Sequence, residues 1–294
     1  MIDWTVLEKE NNVHEISFDG HIKKGWEQWV LLTSDVHLDN KKTNVTRYRQ
    51  DLEKAKHRNA IIIDVGDLPD VMGGKGDRRR SESFIKDEHK RDDYIDAVIE
   101  GNTAILEPYA KQFAVFGRGN HDQAMIKHYS IDVLRHMARR LKHVSGREDR
   151  CFVGGYGGWV KFRFLVGKTQ SQSINLKYFH GSGGGGIVTK GTIQAQRRSG
   201  FIPDADIIVS GHIHEAWILA NKRERFNTHG SQSLDTQWHV QLPTYKEEYG
   251  SGEGGWHVER GAPPKPNGCA WIRFYVATKG KRWNVCTDIH LDIE

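Results

Sequence analysis

Short, nearly unbroken apolar runs punctuate the first 120 residues, and each stops at a polar tip. Residues 29–33 (Trp-Val-Leu-Leu-Thr) stop at Ser34-Asp35, residues 60–63 continue through Val65 to Gly66-Asp67, and residues 113–116 lead into the segment 117–122. Between them the apolar spacing becomes helical: Val45, Tyr48, Leu52 and Ala55 share one helix face, and so do Ile95, Val98, Ile105 and Tyr109. Buried strands alternating with amphipathic helices predict a largely parallel sheet covered on both faces. Beyond residue 150 the pattern changes. Residues 159–166, 174–179, 207–210 and 271–276 are strand-like, and a helix is predicted over 187–198. The expected class is α/β, a two-layered β core flanked by helices.

No internal repeat interrupts this order, and 294 residues suit one domain spanning 1–294. Two segments resist assignment. Residues 72–93 are dense in charge, including Arg78-Arg79-Arg80, and 249–268 are rich in Gly and Pro. Loops of that length in a compact domain are lids, binding loops or disordered segments. The Arg cluster could grip a phosphate or a nucleic-acid backbone, although Glu82, Asp87 and Glu88 close behind it equally suit a solvated face.

Composition narrows the classes. Nine Trp, eleven Phe and nine Tyr require a real core and exclude disorder. No run approaches the ~18 apolar residues of a membrane span, and residues 1–10 lack the apolar stretch of a secretory signal. Cys151, Cys269 and Cys286 are odd in number and contain no CxxC pair; they fit a reducing cytoplasm better than a disulfide framework or a thiolate zinc site. A net charge of +5 is compatible with a polyanionic partner and by itself argues only for solubility.

The chemistry lies where the strands end. The tips are Asp35-Val36-His37, Gly66-Asp67-Leu68-Pro69-Asp70, Gly119-Asn120-His121-Asp122, His180-Gly181 and Gly211-His212-Ile213-His214. Ligands of open α/β sheets collect at the carboxyl ends of strands. Carboxylate, amide and imidazole donors without thiolate suit Mn, Fe, Zn, Co or Ni. The D-x-H and H-x-H spacing puts alternate residues of an extended segment on one side, so both can face a common centre. Singly each motif is weak, because most of the sixteen His lie outside these tips. Five such blocks, each following a strand-like run, form a specific signal.

These blocks, from Asp35 to His214, resemble the calcineurin-like metallophosphoesterase family. The resemblance implies a four-layer α/β/β/α sandwich with a dinuclear metal site at the strand ends. It implies Asp35, His37, Asp67 and His214 around one divalent ion and Asp67, Asn120, His180 and His212 around the other, with Asp67 bridging and Mn the leading candidate metal. A cation pair of this kind polarises a phosphoryl oxygen and activates a water for in-line attack. His121, next to a ligand but free to face the leaving oxygen, is expected to be the general acid, with Asp122 orienting its imidazole.

The departures refine the expectation. Protein Ser/Thr phosphatases of this superfamily carry Asp-Arg-Gly after the second block and Glu after Asn-His; here Leu68-Pro69-Asp70-Val71 and Asp122 stand instead. UDP-diacylglucosamine hydrolases usually have Arg where His121 stands. The Ser-Asp-x-His-Leu and Gly-Asn-His-Asp forms look more like the DNA repair exonuclease branch and its bacterial and viral relatives. The segment 181–186 followed by Lys190-Gly191-Thr192 lacks the Gly-Lys-Ser/Thr order of a phosphate loop. The expectation is thus a metal-dependent phosphodiesterase acting on nucleic acid or nucleotides. The alternatives are a phosphomonoesterase for a small metabolite or phosphoprotein and, from another class, a non-catalytic binding module.

Overall fold

The computed structural model describes residues 2–73, 82–249, 258, 261–279 and 282–294. Two sheets pack face to face. The first contains β3 (Glu27–Thr33), β4 (Ile61–Asp64), β5 (Phe113–Phe116), β6 (Phe152–Val153), β12 (Gly268–Lys279) and β13 (Arg282–Ile293) in the order β13-β12-β3-β4-β5-β6. The second is ordered β1-β2-β7-β8-β9-β11-β10, from β1 (Trp4–Glu10), β2 (Val13–Ile22), β7 (Gly157–Val166), β8 (Gln170–Phe179), β9 (Ile207–Ser210), β10 (Trp217–Phe226) and β11 (Gln232–Gln241).

Strand alternation divides the first sheet's residues between two cores. Leu31, Ile62, Phe116 and Trp271 face the helices, where they meet Tyr48, Leu52 and Ala55 of α1 (Val45–His57), Val98 and Leu106 of α2 (Tyr94–Leu106), and Leu134, Met137 and Leu141 of α4 (Val133–Ser145). Val30, Leu32, Ile61, Ile63 and Ile272 face the second sheet and pack on Val160, Phe162, Leu176 and Val209. The predicted strands and the helices at 45–55 and 95–109 are present, with Tyr109 closing a 3-10 turn (Glu107–Tyr109) after α2. On the far side of the second sheet lies α5 (Thr192–Phe201), where Arg198 stacks 4.9 Å over Phe179 and Ser199 meets His239 at 2.9 Å. The layers are therefore α/β/β/α.

Two expectations change. The first sheet is parallel only across β3-β4-β5-β6, since β12 and β13 join it antiparallel. Its second face is covered by the second sheet, as the expected two-layered β core requires. The helix predicted over 187–198 begins instead at Thr192, because Gly191 takes φ 82° and the preceding segment turns. The ribbon β10–β11 and the terminal strand β13 carry too many charged or exposed residues to be read as buried strands. Of the two unassigned segments, 72–93 holds the 3-10 turns Glu82–Phe84 and Asp87–His89. The Arg78-Arg79-Arg80 cluster and residues 250–257 and 259–260 lie outside the described residues.

Candidate metal centre

Both sheets deliver residues to one place. Parallel β3, β4 and β5 end at Asp35, Asp67 and Asn120, while parallel β8 and β9 end at His180 and at His212 and His214. Main-chain bonds lock the tips together: Asp35 N–H donates to Gly66 O (2.9 Å), His37 N–H to Asp67 O (3.0 Å) and Gly211 N–H to His180 O (2.8 Å). The two sheets are joined by His212 N–H, which donates to Asp35 Oδ2 at 2.7 Å. Two tips also need glycine. A Cβ on Gly119 would overlap the Asp67 carboxylate, and one on Gly211 would overlap Ser34 Oγ.

The D-x-H and H-x-H segments are not extended. Asp35 (φ 52°), His37 (50°), Asp67 (57°), His212 (70°) and His214 (55°) all adopt the left-handed region. Non-glycine residues there are uncommon and cost of order 1–3 kcal/mol each. Alternate residues still converge, but through successive turns of the chain. Such strain concentrated in five neighbouring side chains marks a site held in shape by its surroundings.

Three groups at the tips could hold a cation, Asp35, His37 and His214, then Asp67, His180 and His212, and then His37, Asp70 and His121, which shares His37 with the first; a fourth, Asp51, Cys269 and Asp292, lies elsewhere. His214 Nε2 lies 3.3 Å and His180 Nε2 3.9 Å from Asp35 Oδ1, and His180 Nε2 lies 3.2 Å from Asp67 Oδ2. The fit to divalent metal rests on orphaned atoms. Asp35 Oδ1, His37 Nε2, His180 Nε2 and Asn120 Oδ1 are buried with no hydrogen-bond partner among the described residues, a donor set that a divalent cation would complete. The other polar atom of three of these side chains has a close neighbour. His180 Nδ1 meets Val65 O at 3.2 Å, His37 Nδ1 lies 2.9 Å from Asp70 Oδ1, and Asp35 Oδ2 accepts from Ser34 Oγ at 2.6 Å. These outer partners fix the ring orientation that directs Nε2 inward.

The orienting role expected of Asp122 belongs to Asp70. His121 Nδ1 is 2.7 Å from Asp70 O and 3.6 Å from Asp70 Oδ1. The Asp122 carboxylate turns toward backbone instead, where Oδ2 accepts from Gly119 N–H (2.8 Å) and Asp67 N–H (3.3 Å). It therefore fastens the second and third tips to each other at the start of α3 (Asn120–Tyr129). A sequence reading of the Gly66–Asp70 block that asked for outer partners of His37 and His121 would have had Asp70 as its one further carboxylate. Asp70 is held in turn by Asp39, which accepts from the N–H groups of Asp70 (2.7 Å) and Val71 (2.9 Å).

The electrostatics follow from this crowding. Burial raises a carboxyl group's pKa, yet His180, His214 and His37 hold Asp35 well below the usual range, and His121 and His180 do the same for Asp67. Asp122 is pushed up to about 7 by burial and by the Asp67 charge. Against its own burial, the His180 imidazole is held up to about 9 by Asp67 and Asp35. In the metal-free protein this last effect stabilises the fold fully below the ordinary histidine value and is lost as pH rises through about 9. Because a cation must displace the same proton, affinity for Mn should rise about tenfold per unit between pH 7 and 9 and then level. Calorimetry at pH 7 in buffers of different ionisation enthalpy should register proton release on binding; an affinity flat with pH would contradict this.

A family model described as calcineurin-like phosphoesterase matches residues 29–216. No curated protein matches the chain. Among solved structures, it is similar to vacuolar protein sorting 29 from Cryptosporidium parvum, at 12% identity and a TM-score of 0.37, covering 91% of this chain and 100% of that one. A conserved uncharacterized protein, a predicted phosphoesterase from Streptococcus pneumoniae TIGR4, matches at 9% identity and 0.32, over 90% and 99%. GAP50, the anchor in the inner membrane complex of Plasmodium, matches at 11% and 0.40, over 91% and 89%.

Proposed function

Since the chain belongs to the calcineurin-like phosphoesterase family, we propose that it is a dinuclear metal-dependent phosphoesterase that hydrolyses phosphodiesters in nucleic acid or nucleotides. One observation carries the reading: the buried donor atoms Asp35 Oδ1, His37 Nε2, His180 Nε2 and Asn120 Oδ1, without hydrogen-bond partners among the described residues, gather where five strand tips meet. Asp35, His37, Asp67 and His214 would hold one ion, and Asp67, Asn120, His180 and His212 would hold the other. When bound, the cations supply Lewis acidity and an activated water.

The chain's own residues do the rest. Asp67 sits at the amino end of α3, where its Oδ1 accepts from His121 N–H at 2.9 Å; the helix end favours its negative charge. Asn120, a neutral ligand, keeps the site positive enough for phosphate. His121 keeps a proton on Nδ1 to donate to Asp70 O, so the proton it delivers to the leaving oxygen is the one on Nε2. Asp70 and Asp122 act through position, one holding the imidazole and the other the backbone of the tips.

The Ser34–Leu38 and Gly119–Asp122 forms support a nucleic-acid or nucleotide substrate. The unpaired thiols of Cys151, Cys269 and Cys286 support a reducing cytoplasm. No described helix is long and apolar enough to cross a membrane. The test is Mn-loaded protein against a bis-aryl phosphate diester and an aryl phosphate monoester. Preferred turnover of the diester is expected. Preference for the monoester would point to a phosphomonoesterase, and turnover of neither, with metal demonstrably bound, to a binding module.

A further inference from the structure

Asp39, two residues beyond His37, is a buried carboxylate that belongs to none of the groups able to hold a cation among the described residues. Its oxygens are occupied by support. Oδ1 accepts from Asp70 N–H (2.7 Å) and from Asn102 Nδ2 (3.2 Å), and Oδ2 accepts from Val71 N–H (2.9 Å) and from Tyr94 Oη (3.5 Å). Asn102 and Tyr94 belong to α2, and Lys86 Nζ donates to the neighbouring Leu38 O at 2.7 Å. The carboxylate is thus seated from outside the tip that it holds.

Two of these contacts meet across a single peptide unit. Val71 N–H and Asp70 C=O are its opposite ends, and a trans peptide is planar, so the two point in opposite directions. Asp39 Oδ2 holds the N–H end, while the C=O end lies 2.7 Å from His121 Nδ1. Asp39 therefore sets the direction of the carbonyl that orients the imidazole.

The backbone opposes this direction. Val71 takes φ 46°, a left-handed value that a β-branched residue rarely adopts. Turning the 70–71 peptide over would bring φ to about −134°, in the ordinary extended region. The same turn would present N–H in place of C=O to His121, and Nδ1 could no longer donate its proton there. The bond to Asp39 holds the strained arrangement. The Asp70 carboxylate is fixed separately, by Asn40 Nδ2 at 2.9 Å, and stays 2.9 Å from His37 Nδ1. Loss of Asp39 should therefore disturb His121 more than the metal ligands.

We propose that Asp39 is a positioning residue for proton delivery: by holding Val71 N–H it keeps the Asp70 carbonyl on His121 Nδ1 and so aims Nε2 at the leaving oxygen. The inference rests on the phosphoesterase reading, in which His121 protonates that oxygen. Asp39→Ala removes the acceptor from both backbone N–H groups without placing a new donor beside them.

The experiment measures kcat and KM of Mn-loaded protein on a dinucleoside monophosphate and on methyl p-nitrophenyl phosphate. For Asp39→Ala, kcat on the dinucleotide should fall about tenfold or more, up to the 10²–10⁴ that a general acid contributes, with KM little changed. The nitrophenyl ester, whose leaving group needs little protonation, should lose less than about threefold. Added to His121→Asn, the substitution should cost nothing further, because residues that act as one unit are not additive. Equal losses on both esters, an additive loss in the double variant, or an unaffected dinucleotide would overturn the proposal. Long-range 1H–15N spectra of zinc-loaded protein read the same contact without turnover. The His121 ring signals, identified by their absence in His121→Asn, should show a proton on Nδ1 in the wild type and its loss in Asp39→Ala. A wild type without that proton, or a variant that keeps it, would overturn the proposal. Should wild type hydrolyse neither ester, the phosphoesterase reading fails and the spectra alone decide the role of Asp39. Should Asp39→Ala not fold, Asn102→Leu stands in: it removes the side-chain donor to Oδ1 and should give the same pattern with losses of roughly two- to tenfold, the worth of one hydrogen bond.

Discussion

Asp67→Asn should empty both metal sites at once and lower phosphoesterase activity by orders of magnitude. The physical reason is local. Asp67 Oδ1 is committed to His121 N–H and Oδ2 lies 3.2 Å from His180 Nε2. An amide can satisfy His121 N–H only through its oxygen, which turns its NH₂ group, a pair of donors, toward the cation positions. The substitution also removes the negative charge that offsets repulsion between two ions and that holds His180 protonated in their absence. Metal analysis after loading with Mn should find well below two ions per chain. Two fully retained ions would refute the bridging role.

His121→Asn should do the opposite. Metal content should stay near wild type while turnover slows by about 10²–10⁴-fold, the usual worth of a general acid. The loss should also depend on the leaving group. A nitrophenolate departs with little help, whereas a nucleoside alkoxide requires a proton, so the variant should retain more relative activity on activated aryl esters than on nucleotides. Equal losses on both classes would assign His121 to binding the phosphoryl oxygens, and loss of metal would make it a ligand. The geometry favours the acid, because the Asp70 carbonyl fixes Nδ1 and leaves Nε2 3.8 Å from Asp67 Oδ2, at the edge of the cluster.

Substitution at Asp122 separates support from chemistry. Its carboxylate reaches the backbone of Gly119 and Asp67, so its effects should pass through tip geometry and metal content. The contrast between Asp70 and Asp122 also shows where sequence reasoning fails. Adjacency suggested that Asp122 serves His121, but in a helix neighbouring side chains diverge by about a quarter turn or more. Only a residue from another strand tip could meet that imidazole.

The sequence by itself determined the buried strands and the order of the polar tips. Fully buried strands must be continuous apolar runs, and polar residues that interrupt them at their ends need a purpose. Leu31, Ile62 and Phe116 were legible because both faces of their sheet are covered, and α1 because its apolar stripe has period 3.6. Helix α4, with Val133, Leu134, Met137, Ala138 and Leu141 buried, carries a similar stripe. The exposed ribbon β10–β11 offered no such signal, since its pairing is set by backbone bonds that any polar sequence can make. The tertiary structure decided what spacing along the chain does not encode: the antiparallel addition of β12 and β13 to the first sheet, the left-handed backbone at Asp35, His37, Asp67, His212 and His214, and the bond from His212 N–H to Asp35 Oδ2 that closes the site across two sheets. Each depends on contacts between segments far apart in sequence, and local propensity carries no information about which distant tip will supply the partner that holds a strained residue in place.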